Sequence, residues 1–144
     1  MEIRQVGVIG CGLMGSGIAQ VCAAAGYLVT VREVSDELAE RGIDTIARQL
    51  ARAVEKGKIS LTDRDEVLSR ITPTTELSAL ADCQLLIEAV VEDLEVKNSL
   101  WRELEQICSG QTIFASNTSS LTIAEMAAAT QRPDRLIGLH FFNP

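Results

Sequence analysis

Gly10-Cys11-Gly12-Leu13-Met14-Gly15 follows the apolar run Val6 to Ile9 and opens a segment of helical period. Glycines at these spacings suit one kind of chemistry. The first allows a tight turn, the second lets the backbone come close to a ligand, and the third lets a helix pack against the preceding strand. The unpaired N–H groups and the positive dipole end of that helix then face an anion such as a pyrophosphate. Cys11, Leu13 and Met14 fill the variable positions and contribute backbone N–H groups. Glu33 ends the next apolar run, at the spacing of a carboxylate that accepts hydrogen bonds from a ribose. A negative charge there repels a 2′-phosphate, so NAD is expected over NADP, while Arg32 beside it acts in the opposite sense.

Holding a dinucleotide is not yet a reaction. In open parallel sheets the ligand lies beyond the carboxyl ends of the strands, so reactive groups belong there. Three such ends are polar: Glu88 to Asp93, Ser116 to Ser120, and His140 to Pro144. His140 is the single histidine of the chain. Oxidising an alcohol with a nicotinamide needs a base for the hydroxyl proton, and imidazole titrates in the useful range. The Ser116-Asn117-Thr118-Ser119-Ser120 stretch offers hydroxyls to a polar substrate or to the nicotinamide amide.

The elements that must position these groups alternate between short Val/Ile/Leu-rich runs and longer segments of helical period. That pattern predicts an α/β fold, a doubly wound and mainly parallel sheet of Rossmann type. Predicted strands are Gln5 to Ile9, Leu28 to Arg32, Arg70 to Thr72, Leu85 to Val90, Thr112 to Ala115 and Leu136 to Phe141. Predicted helices are Met14 to Ala25, Asp36 to Glu55, Asp63 to Arg70, Leu94 to Cys108 and Ile123 to Ala129. Ser35 or Asp36, Thr62 and Asp93 are the expected caps, with Gly26, Gly57 and Gly110 at helix ends. On the second helix Leu38, Ile46, Leu50 and Val54 are the expected buried face.

With 144 residues, 47% of them hydrophobic, the chain is sized for one domain, 1–144. No apolar run approaches the roughly 20 residues of a membrane span, and MEIRQ lacks the layout of a signal peptide, so a cytoplasmic protein without membrane contact is expected. The net charge of −7 argues against nucleic acid as a partner. Cys11, Cys22, Cys83 and Cys108 have neither C-x-x-C pairing nor histidines at ligand spacing. Free buried thiols are expected, with no metal site. The apolar end LIGLHFFNP reads as a strand cut off from a longer protein.

VGVIGCGLMGSGIAQ, IEAVVEDLEVK, FASNTSSL and RPDRLIGLHFFNP together resemble the NAD-binding domain of L-3-hydroxyacyl-CoA dehydrogenases, including the 3-hydroxybutyryl-CoA enzymes and the dehydrogenase parts of fatty-acid oxidation complexes. The resemblance covers nearly the whole chain, in order. It implies an oxidoreductase of fatty-acid metabolism (β-oxidation) that converts (S)-3-hydroxyacyl-CoA to 3-oxoacyl-CoA with NAD. By the resemblance His140 is the catalytic base, Ser119 contacts nicotinamide and substrate oxygen, and Glu92, Lys97 and Asn143 line the nicotinamide half, with Asn117 in the same cofactor-binding set. It also implies a following helical domain, absent here, that carries a glutamate to orient the histidine, an asparagine for the substrate and most contacts of a homodimer. The 144 residues alone are therefore expected to bind NAD with little or no turnover.

Arg48, Arg52 and Lys56 fall at i, i+4 and i+8 on the second helix, with Arg41 two turns earlier and Lys58 just beyond. A positive strip could receive CoA phosphates, and the resembling family places a CoA-contacting lysine near Lys56. Ordinary pairing with Glu37, Asp44 or Glu55 is the expectation for Arg48 and Arg52. Two other functions remain open at this stage: a non-catalytic NAD-binding or structural protein, and a Rossmann dehydrogenase acting on free hydroxy acids.

Overall fold

The computed structural model describes residues 1–118, 121 and 123–141. Strands β1 (Gln5–Ile9), β2 (Leu28–Arg32), β3 (Ile71–Thr74), β4 (Leu85–Glu88), β5 (Ile113–Ser116) and β6 (Leu136–Gly138) form one sheet in the order β3-β2-β1-β4-β5-β6. Every pairing is parallel. Helices α1 (Leu13–Ala24), α2 (Asp36–Glu55), α3 (Leu61–Ser69), α4 (Leu94–Ile107) and α5 (Ile123–Ala128) supply the crossovers. The chain moves outward from β1 to β3, then returns to lay β4 against the other side of β1. The crevice of this Rossmann fold opens at that reversal.

Alternation along the strands feeds a core on each face. Val6, Val8, Val29, Val31, Ile87 and Ala115 pack under α1, α2 and α3 with Ile18, Ile46 and Leu50. Leu86, Phe114 and Leu136 point the other way, against Leu100, Trp101 and Leu104 of α4 and Met126 of α5. Trp101 stacks on Phe114 with ring centroids 4.9 Å apart. Pro73 is tolerated in β3 because that strand is an edge and needs no second ladder.

Several boundaries differ from expectation, each for a local reason. β3 runs to Thr74, and β5 to Ser116. β4 stops at Glu88, short of Val90, because the Glu88 carboxylate turns back and accepts the Val90 N–H at 2.9 Å. α3 starts at Leu61, capped by Ser60 and not Thr62: Ser60 Oγ accepts from Asp63 N while Asp63 accepts from Ser60 N. Ser35 and Asp93 cap α2 and α4. Gly26 and Gly57 take positive φ, but Gly110 does not. α4 instead ends with the Arg132 guanidinium on the carbonyls of Ser109 and Glu105. The buried face of α2 is Ala39, Gly42, Ile46 and Leu50, while Leu38 is left to the crevice. Among the described residues no helix is long and apolar enough to cross a membrane, and no cluster could hold a metal ion.

Candidate cofactor and catalytic site

The glycine loop is built as tightly as its sequence predicts. Gly10 has φ +94°, and a Cβ there would lie 2.7 Å from the Ala89 carbonyl oxygen of the neighbouring β4 extension. A Cβ on Gly15 would run into the Gly10 carbonyl, so α1 approaches β1 as closely as backbone allows. Gly12 is different. It is the N-cap of α1, and among the described residues no side chain caps it and a Cβ there would meet nothing within 4 Å. The open N-terminus of α1 therefore faces free space, the arrangement that suits a diphosphate. Ser16 braces the loop from inside through hydrogen bonds to the carbonyls of Gly12 and Cys11.

Glu33 folds back toward this loop. Its Oε2 accepts from Cys11 N and its Oε1 from Val34 N, each at 2.9 Å. The carboxylate thus stands at the β2 tip in the crevice lining, each oxygen keeping capacity to accept a further hydrogen bond. Burial pushes the Cys11 thiol above its ordinary range against the lowering effect of the Ser16 hydrogen bond, and the Glu33 charge adds to the rise. The crevice, of about 440 Å³, is walled by Gly10, Gly12, Glu33, Leu38, Val90 and Val96. Apolar walls with a carboxylate at one end match a nucleoside. Arg32 borders it with Nε donating to the Thr75 carbonyl at 3.1 Å. Leu13 is exposed and Met14 half-buried beside the loop.

Beyond the end of β4 lies a charged cluster. The Lys97 ammonium sits 3.0 Å from Glu88 and 2.8 Å from Glu92. Lys97 and Glu88 have no exposed side-chain surface, whereas Glu92 keeps 44% of its own. Ser116 Oγ donates to Glu88 at 2.5 Å, and Thr118 Oγ1 donates to Glu92 at 2.6 Å. The cluster joins the ends of β4 and β5 to the first turns of α4. Sequence reasoning named Glu92 and Lys97 but missed Glu88, Ser116 and Thr118 as their supports.

His140 is exposed on the segment after β6, at the same carboxyl end of the sheet. That segment leaves the ladder at Gly138, three residues before the predicted end, because β5 offers no further strand partner beyond Ser116. Leu139 N still reaches the Ser116 carbonyl, and Asn117 Oδ1 accepts the Phe141 N–H at 2.7 Å. Asn117 thereby pins the histidine segment to the end of β5. Ser119 and Asn143 lie outside the described residues. Lys56 is the exposed C-cap of α2. The structure does not bring it to the crevice, since a helix of 20 residues spans about 30 Å and starts at the crevice edge. Arg41 pairs with Glu37, and Arg48 donates to Thr45.

Comparison with known proteins agrees with this geometry. The family model "3-hydroxyacyl-CoA dehydrogenase, NAD binding domain" matches residues 5–144. A 3-hydroxybutyryl-CoA dehydrogenase of Mycobacterium tuberculosis is 50% identical over 143 residues, 99% of this chain and 50% of that protein. The 3-hydroxyadipyl-CoA dehydrogenase of Escherichia coli K12 is 42% identical over the whole chain and 30% of its own length. The crystal structure of M. tuberculosis FadB2 superposes with a TM-score of 0.97 at 49% identity, covering 100% of this chain and 51% of that one. The chain spans about half the length of the first curated relatives it matches. A glycine loop that opens on an apolar crevice, the acidic tip of β2 and the match over residues 5–144 lead to one assignment: the chain belongs to the 3-hydroxyacyl-CoA dehydrogenase family, as its NAD-binding domain.

Proposed function

We propose that this NAD-binding domain serves an enzyme that oxidises (S)-3-hydroxyacyl-CoA to 3-oxoacyl-CoA. The observation that carries the reading is the placement of His140 at the same carboxyl end of the parallel sheet as the glycine loop, on a segment tied down by Asn117. NAD, when bound, supplies the two-electron acceptor. The loop N–H groups at Gly12, Leu13 and Met14 hold its diphosphate, and Glu33 accepts from the adenosine ribose. Glu92, supported by Lys97, lines the nicotinamide half together with Asn143, and Ser119 contacts both nicotinamide and substrate oxygen. An imidazole nitrogen of His140 takes the hydroxyl proton as the C–H electron pair leaves the substrate carbon, so the products balance as ketone, reduced cofactor and a protonated imidazole. Lys56 meets the phosphates of the CoA tail, away from the reacting carbon. The relatives twice this length leave room for a second domain that completes the site; on this reading the whole protein is a homodimer and the 144 residues alone turn over poorly.

The test is His140→Gln in the full-length protein, assayed with 3-hydroxybutyryl-CoA by NADH absorbance and by NADH titration. Turnover should fall by about 10²- to 10⁴-fold, the usual range for a lost general base, with NADH affinity kept. Unchanged turnover would remove His140 from the reaction.

A further inference from the structure

Glu88 is a buried carboxylate for which the proposed reaction has no use. Its oxygens are fully engaged: Lys97 Nζ at 3.0 Å, Ser116 Oγ at 2.5 Å and Val90 N at 2.9 Å. Lys97, equally buried, reaches on to Glu92 at 2.8 Å, and Glu92 alone of the three keeps exposed surface. Glu92 is thus the member of the cluster that carries its charge to the surface, beside the crevice residue Val91. A buried ion pair is weak support for folding, because well-packed apolar residues of similar volume serve as well or better. What this pair adds is a fixed place for a third charge, the half-exposed Glu92. With two carboxylates around one ammonium, Glu92 is held by Lys97 and Thr118 while Glu88 keeps the lysine from following it outward.

We propose that Glu88 is a positioning residue which, through Lys97, holds Glu92 in place at the nicotinamide half of the cofactor site. The proposal rests on the placement of Glu92 in that half, given above as part of the proposed function. It predicts an effect confined to one half of the dinucleotide, since the glycine loop and Glu33 lie at the ends of β1 and β2 whereas the cluster lies at the ends of β4 and β5.

The experiment compares calorimetric titrations of NADH and of ADP-ribose, which lacks the nicotinamide, on wild type, Glu88→Gln, Ser116→Ala and Glu92→Gln. For Glu88→Gln we expect NADH affinity to fall about tenfold, the scale of one misplaced hydrogen bond to a charged group, with ADP-ribose changed by less than about twofold. Equal weakening of both ligands would mark general loosening, and no weakening of either would mark a purely structural pair; each overturns the proposal. Should Glu88→Gln fail to fold, Ser116→Ala removes one hydrogen bond from the same carboxylate, and an unchanged ratio of the two affinities there is equally fatal. Glu92→Gln separates the two ways of failing. If it weakens NADH while Glu88→Gln does not, the role of Glu88 is wrong; if it leaves NADH untouched, the placement of Glu92 is wrong and the proposal falls with it.

Discussion

Replacing Gly12 with alanine should separate cofactor binding from folding. Among the described residues the new methyl meets no atom within 4 Å, and the backbone at φ −74°, ψ −156° is extended, away from the left-handed region that needs glycine. Two small effects on stability oppose each other. Alanine is a poorer N-cap than glycine by up to about 1 kcal/mol, and it restricts the unfolded chain by about 0.4–1 kcal/mol in favour of folding. The net change should stay within about 0.5 kcal/mol, roughly 2 °C in Tm for a domain of this size. Binding suffers differently, because the methyl occupies the space in which a diphosphate would reach the N–H groups at the head of α1. Each hydrogen bond to a charged oxygen is worth about 1.5–3 kcal/mol, so the loss of one weakens NADH by roughly 10- to 100-fold. NADH titration and a thermal melt on the same preparation read both effects. Gly15→Ala is the mirror control: its Cβ would sit 2.7 Å from the Gly10 carbonyl carbon, and such overpacking costs about 1–3 kcal/mol or more. A Gly12→Ala protein that melts normally and binds NADH as wild type would refute a diphosphate over Gly12.

Two further perturbations test the frame around the site. Arg132 donates to the Ser109 and Glu105 carbonyls and lies 4.8 Å over the Phe114 ring; Arg132→Ala should cost about 1–2 kcal/mol in urea denaturation and leave NADH affinity unchanged. Burial first, then the charges of Cys108 and Asp82, pushes the Cys83 thiol from 9.0 up to about 11. The folded state thus holds this proton more tightly than the unfolded chain, so the contribution is whole below pH 9 and is lost as pH rises through about 11. Wild type should lose stability over that window at up to about 1.4 kcal/mol per pH unit from this group, a slope that Cys83→Ala flattens; identical slopes by urea denaturation would show that the thiol does not titrate there.

The sheet was legible because parallel strands covered on both faces read as short Val/Ile/Leu-rich runs. β1 and β2 match their predicted spans residue for residue, as does α2. Errors gathered where a polar side chain overrides the local pattern. The run Leu85 to Val90 is apolar except for Glu88, yet it is Glu88 that ends the strand by taking the Val90 N–H. Thr62 looked like a cap, but Ser60 has Asp63 three residues on, and the reciprocal pair wins over the single hydroxyl. Gly110 does follow the end of α4, but without the positive φ of Gly26 and Gly57: there a guanidinium 22 positions further along the chain reaches the terminal carbonyls. Contacts of that kind depend on which elements become neighbours, and no local window contains them.

The charged cluster is the instructive case, because part of it was visible and went unread. Along α4 the buried residues are Lys97, Leu100, Trp101 and Leu104, spaced at i, i+3, i+4 and i+7. The lysine occupies the first position of an otherwise apolar stripe, so helical period alone places its ammonium in the interior. Glu88 likewise breaks the apolar run of the strand directly preceding α4 in the crossover. A lone interior charge is too unfavourable to persist, and the demand is symmetrical: a carboxylate misplaced in β4 and an ammonium misplaced in α4 each require a partner of opposite sign. Adjacent elements of a βαβ unit pack on one another, so the two misfits identify each other. Glu92, five residues before Lys97 and outside the helix, gave no such signal. Its tie to the cluster depends on the course of the loop between Val90 and Asp93 and on the Thr118 hydroxyl arriving from β5, and only the folded chain brings those together.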